Sequence, residues 1–247
     1  MTAVPKVRLR FAKRGDLRLV SHHDLVRCVE RALRRAAIPV ATTQGFNPRP
    51  KVTFALALAL GIEGRREVVE IDLAAPLEPA EVLERLAATS PPGLEWLGAE
   101  PATSNRAAQA QAACYRLDLP EPRRAAASAA VAELLSSPSR PYSRKRPDRT
   151  VELDLRPFLL DAAIDPEEGA LGFRLKVTNS GASARPEDIV DVLGLSDLLR
   201  DGSVLARLDI ELAPERPGPD RPASPDAAGA ADPPTTTTAP ASERPTA

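Results

Sequence analysis

The sequence predicts an α+β protein of two consecutive sandwich units followed by a disordered tail, and three observations predict it. Apolar residues alternate with period two in several short runs, recur at helical spacing in the runs between, and lose both periods from position 214. Apolar residues make up 43% of the 247 and charged residues 27%, enough for a core, which must be aliphatic because aromatic residues are only 3%. The boundaries fall at 1–100, 111–213 and 214–247.

Lys6-Val7-Arg8-Leu9-Arg10-Phe11 alternates as a half-buried strand does, with Val7, Leu9 and Phe11 inward. Ser21, with Asp24 three positions on, approximates a capping box and starts a helix to about Ala37, which Pro39 prevents from continuing. A second strand is expected over 52–60, with Val52, Phe54, Leu56, Leu58 and Leu60 on one side. A third is expected over 67–73, with Val69, Ile71 and Leu73 inward and Glu70 and Asp72 outward. Pro79 opens a short helix carrying Val82, Leu83 and Leu86, and Pro91-Pro92-Gly93 ends it before the strand Leu94-Glu95-Trp96-Leu97. The order β-α-β-β-α-β predicts a ferredoxin-like sandwich, whose first and third strands are neighbours, so that Arg8 and Arg10 face Glu70 and Asp72.

A polar connector around 101–110 leads to a second, ferredoxin-related unit. Tyr115, Leu117 and Leu119 mark a strand, 123–135 a helix, and Val151 to Leu155 and Leu171 to Val177 two more strands. Arg156-Pro157-Phe158-Leu159-Leu160 suggests a helix, Thr178-Asn179-Ser180-Gly181 a turn, 186–193 a helix and 207–212 a closing strand. Nine prolines between 214 and 245, with four consecutive threonines, leave the tail too little apolar surface to offset its ordering entropy.

Charge is segregated. Residues 1–60 hold twelve Lys and Arg against Asp16, Asp24 and Glu30, a balance of +9 in a chain of net charge −1. That asymmetry points to an anionic partner, with RNA ahead of a phosphorylated metabolite. On a helical wheel Leu25, Val26, Val29, Ala32, Leu33 and Ala36 form one stripe, and Arg27, Arg31, Arg34 and Arg35 gather opposite. Like charges three and four residues apart mildly destabilise a helix until an anion binds, and a guanidinium fork fits two phosphate oxygens. A solvated face in an arginine-rich chain is the plain alternative. The following loop offers Gln44, Phe46, Asn47, Arg49 and Lys51 between a permissive Gly45 and the stiffening Pro48 and Pro50. Phe46 either stacks on an unstacked base or folds back onto the core. A second basic patch, Arg140, Arg144, Lys145, Arg146 and Arg149, suits a polyanion or a solvated loop equally.

His22 and His23 both fall in the first helical turn, His22 at the edge of the apolar stripe and His23 towards the polar side. His23 with Asp24 could form an acid–base pair, and an enzyme in its own right would use His22 and Asp24 near the helix start, a reading that a buried His22 without a cavity would remove. The helix start and the loop lie about 20 Å apart in a β-α-β unit, which favours an extended polymer over a small metabolite. No cysteine cluster for an iron–sulfur centre, no phosphate loop, no H-E-x-x-H, no G-x-S-x-G and no zinc pattern occurs, so no metal or cofactor is expected in this chain. Cys28 and Cys114 make no disulfide scaffold, and Cys28 reads as a small core residue. With no secretory segment, and with the longest apolar run at 54–60, a cytoplasmic protein without a membrane span is expected. The residues set no oligomeric state.

The run from Phe11-Ala12-Lys13-Arg14-Gly15-Asp16 through Ser21-His22-His23-Asp24, then Glu30-Arg31-Ala32-Leu33-Arg34-Arg35-Ala36, then Gln44-Gly45-Phe46-Asn47-Pro48-Arg49-Pro50-Lys51, resembles the radical-SAM-linked protein family. This is a bacterial family of undetermined function, found beside or fused to a radical SAM protein. The ordered combination of S-H-x-D with Q-G-F-N-P-R carries the resemblance. Relatives carry Leu where His23 stands, which leaves Ser21, His22 and Asp24 as the matching set. The resemblance implies a partner, a radical SAM enzyme acting in RNA modification or translation. The iron–sulfur cluster and S-adenosylmethionine are implied for that partner alone. Three readings follow: a non-catalytic accessory module that binds structured RNA, an enzyme using His22 and Asp24, or a protein-interaction subunit without RNA.

Overall fold

Val7, Leu9 and Phe11, all fully buried, hold the first strand, β1 (Val4–Lys13), against a helical layer. The computed structural model describes residues 4–102, 104, 106–145, 147–178 and 183–214. The expected disordered tail, from residue 215 on, and positions 179–181 of the expected turn lie outside the described residues. Helix α1 (His22–Arg35) begins where the capping pattern places it. Ser21 Oγ accepts from the Asp24 N–H at 3.2 Å and donates to Asp24 Oδ2 at 2.7 Å. Its apolar stripe seats Leu25, Cys28, Val29, Ala32 and Leu33 on the sheet.

β2 (Val52–Phe54), β3 (Glu63–Leu77), α2 (Pro79–Ala87) and β4 (Leu94–Pro101) complete the first half. The strands pair antiparallel in the order β4-β1-β3-β2, an order compatible with a ferredoxin-like unit. The strand expected over 52–60 stops at Phe54. Beyond it Leu58 and Ile62 turn into the apolar cluster of the second half while Leu60 stays exposed, so the alternation there serves two cores rather than one sheet face.

The second half runs β5 (Ala110–Asp118), α3 (Glu121–Ser136), β6 (Pro141–Lys145), β7 (Thr150–Asp154), β8 (Leu159–Asp165), β9 (Ala170–Lys176), α4 (Pro186–Val192), α5 (Ser196–Arg200) and β10 (Ala206–Leu212). Its sheet order, β10-β5-β9-β8, repeats the first half with a hairpin inserted. Two expectations are corrected here. The strand at Val151–Leu155 belongs to a separate β6-β7 ribbon, and the suggested helix at 156–160 is one 3-10 turn, Arg156–Phe158, leading into β8. β8 buries only Leu159 and Ala162 deeply, which is why its alternation is faint.

β3 and β10 join the halves. They pair parallel over two positions, Glu63 with Ala206 and Gly64 with Arg207, making one mixed sheet of eight strands. Polar ties hold β1 to β3 and, across the joint, β1 to β10. Arg8 donates to Glu70 at 2.8 and 3.0 Å as the register expects, whereas Arg10 reaches across to Asp209 of β10 at 2.8 Å instead of to Asp72. Among the described residues no helix is long and apolar enough to cross a membrane.

Candidate nucleic-acid interface

Arg27, Arg31, Arg34 and Arg35 all project from the solvent side of α1. Arg27 meets Asp24 at 3.3 Å, an exposed pair that solvent screens to little effect. Arg31, Arg34 and Arg35 form no ion pair with any described residue, so among those residues no carboxylate offsets their mutual repulsion directly.

The loop that follows is a short hairpin. The Ala41 N–H donates to the Asp72 carbonyl at 2.8 Å, Lys51 N–H to Ala41 at 2.8 Å, and Thr43 N–H to Arg49 at 2.8 Å. The Arg49 N–H returns to Thr43 Oγ1 at 3.0 Å. Beyond this laced base the tip carries Gly45 at φ 132°, a conformation that glycine tolerates, and Phe46 at 105% relative exposure. Phe46 therefore does not fold back onto the core. Gln44, Asn47, Arg49 and Lys51 are exposed beside it. The loop root is sewn to the end of β3, where the Ala74 N–H donates to the Pro39 carbonyl at 2.7 Å. Hence it springs from the end of α1 that carries Arg34 and Arg35, and the 14 residues of α1 extend the basic face for about 21 Å.

The second basic patch does not form one surface. Arg144 is buried and donates to Asp188 through Nε at 3.0 Å and to the Ser183 carbonyl at 2.8 Å, pinning the β6-β7 ribbon to α4. A guanidinium spent in this way is closed to a polyanion. Arg140 lies 3.6 Å from Glu133, Lys145 and Arg149 are exposed, and Arg146 lies outside the described residues. Tyr142 donates to Asp191 at 2.9 Å, and burial together with that bond pushes its phenol up to about 12.

His22 and Asp24 share a helical turn but make no hydrogen bond with each other. The Asp24 carboxylate serves Ser21 and Arg27, and the Ser21 hydroxyl bond holds it below the usual range. The His22 ring stands edge-on to Phe54 with centroids 5.2 Å apart, and its Nδ1 is buried without a hydrogen-bond partner among the described residues. Burial lowers its pKa, and His23, Arg207 and Lys13 add repulsion, so the neutral imidazole is favoured. His23 points to solvent.

His22 also opens onto a cleft of about 410 Å³, shared with Ala57, Leu60 and, from the second half, Tyr115, Arg185, Glu187 and Arg207. Sequence reasoning missed the charges behind that wall. Lys13, Glu67 and Arg207 are 0%, 1% and 2% exposed. Arg207 Nε donates to Glu67 at 2.8 Å, and Lys13 Nζ donates to the Val20 carbonyl at 2.9 Å. Gly64 lies between them in register, opposite Lys13 on one side and Arg207 on the other. A Cβ at Gly64 would fall 2.5 Å from Glu67 Cγ, so the missing side chain is the room in which Glu67 turns back. Partners 140 residues apart leave no local signal. Among the described residues no three His, Cys, Asp or Glu side chains converge as a metal site requires.

No curated protein matches the chain. It is similar to the crystal structure of an unknown protein from Galdieria sulphuraria, at 13% identity and a TM-score of 0.26, over 85% of this chain and 98% of that one. A family model described as an uncharacterized protein conserved in bacteria, DUF2344, matches residues 6–186.

Proposed function

We propose, for a chain that belongs to the bacterial DUF2344 family, that it is a non-catalytic accessory protein which binds structured RNA through α1 and the 41–51 hairpin. The observation that carries this reading is the set of exposed arginines on α1, three without an ion pair among the described residues, running towards a rigidly based tip with a wholly exposed Phe46. Arg27, Arg31, Arg34, Arg35 and Arg49 contact phosphates, Phe46 stacks on an unpaired base, and Gln44, Asn47 and Lys51 hydrogen-bond around it. A solvated helix face gains nothing from like charges at this spacing, whereas a phosphate backbone does.

The partner in this reading is a radical SAM enzyme, to which the RNA is presented for modification. Its support is the resemblance carried by Ser21, His22 and Asp24 with Gln44-Gly45-Phe46-Asn47-Pro48-Arg49. The iron–sulfur cluster and S-adenosylmethionine belong to that enzyme.

Filter binding of total RNA over a range of salt tests the proposal. Four to five phosphate contacts predict an affinity that falls by about two to three orders of magnitude between 50 and 200 mM salt, and a steep loss in the Arg31→Glu, Arg34→Glu double variant. Binding that ignores salt, or no binding, removes the RNA reading. Nuclease-resistant capture of the radical SAM enzyme on the same basic face would then assign that face to protein docking.

A further inference from the structure

The cleft beside His22 is not used by the RNA-binding reading. One wall is apolar, made by Ala57, Leu58, Leu60 and Ile62. The other is polar and drawn from both halves of the molecule. Arg185 is exposed on its rim and has no ion pair among the described residues, while Arg207 lies at its floor. The charged side chains that line it are Arg185, Arg207 and Glu187, and because Arg207 is paired with Glu67 behind the wall, Arg185 is the guanidinium that stands without an ion pair among the described residues. The Arg207 guanidinium is held by Glu67 and by the Leu56 and Ala57 carbonyls, which makes it a fixed part of the floor and leaves Arg185 as the exposed donor.

An apolar wall of this size facing a few convergent polar groups is the usual make-up of a small-ligand site. Bare inorganic phosphate would leave the apolar wall unmatched, and an uncharged ring would leave the Arg185 guanidinium unmatched. We infer that this cleft binds a phosphomonoester carried on a ring-bearing body of nucleotide size. The phosphoryl group pairs with Arg185 above the Arg207 floor, the ring lies on Leu60 and Ala57, and Glu187 accepts a hydroxyl or amino proton from the body. This site is independent of the basic face of α1.

Adenosine monophosphate is the probe, titrated into the full chain by calorimetry while the two histidine ring signals are followed by NMR. Saturable binding that shifts His22 more than His23, with adenosine and inorganic phosphate each weaker, is the expected result. Arg185→Glu should lower the affinity at least about tenfold, the loss expected on reversing a charge-assisted contact. Its backbone N–H, which holds Asp188 at 2.6 Å, is untouched, so the fold is kept. Arg34→Glu should leave this binding unchanged while weakening RNA binding. The proposal is overturned if the His22 signal does not saturate, if adenosine binds as tightly as its phosphate, or if Arg34→Glu weakens the nucleotide and Arg185→Glu does not.

Discussion

Gly64 shows how one absent side chain sets an ion pair. Glu67 folds into the space that a Cβ would take and meets Arg207 there, with Lys13 on the opposite strand. Gly64→Ala forces the carboxylate away from a guanidinium it cannot leave cheaply. We expect a loss of about 1–3 kcal/mol, the usual cost of overfilling a packed site, read as a lower urea midpoint at unchanged m-value. His22 gives a second expectation. Because its folded pKa lies below the unfolded value, its contribution is complete above about pH 6.5 and is lost as pH falls through that value towards the folded pKa. Urea titrations at pH 8 and pH 5.5 should therefore show a larger acid penalty in the native protein than in His22→Gln. At this scale the sequence was partly legible. The capping role of Ser21 and Asp24 and the core place of Cys28 follow from spacing alone. The Arg8–Glu70 pair follows from strand order, but Arg10 chose Asp209, a residue that only the joining of the halves brings near.

At the scale of the element, α1 divides stability from function. Its buried stripe binds it to the sheet, while Arg31 sets like charges against Arg27, Arg34 and Arg35 on the solvent side. Arg31→Glu places an acid three and four residues from Arg27, Arg34 and Arg35 and should stabilise the protein by about 0.3–1 kcal/mol. The same change should cut RNA affinity, and a thermal melt beside a binding curve checks both. Most elements were readable because their periods are clear, as in β1, α1 and β9. The misses have a common cause. Residues 55–62 and 151–165 carry apolar side chains that answer to more than one partner, so neither a two-residue nor a 3.6-residue period describes them.

The whole molecule repeats one strand order twice and closes the repeat through β3 and β10. The strands pair there over two positions, and the Glu63 N–H on Leu205, Arg207–Glu67 and Arg10–Asp209 cross the same joint, while Leu58 and Ile62 of the first half pack into the second half's cluster. We expect residues 4–214 to melt in a single calorimetric transition; two resolved transitions would contradict this. Acid should weaken the pairing of β1 with β3 inside the first half. Burial raises the Glu70 carboxyl, but Lys6, Arg8 and the Ala108 N–H outweigh it and hold the pKa below the ordinary range. Its contribution is present above about pH 4.5 and disappears as pH drops through the folded value.

The buried carboxylate belongs to one half and its guanidinium to the other. Removing either half would not leave a smaller working version of the protein, because Leu58 and Ile62 of the first half are part of the second half's apolar cluster and the cut would open that cluster, and the ion beside it, to water. Whatever ancestry the repeated order reflects, the two copies are now obligate companions, inherited and lost together.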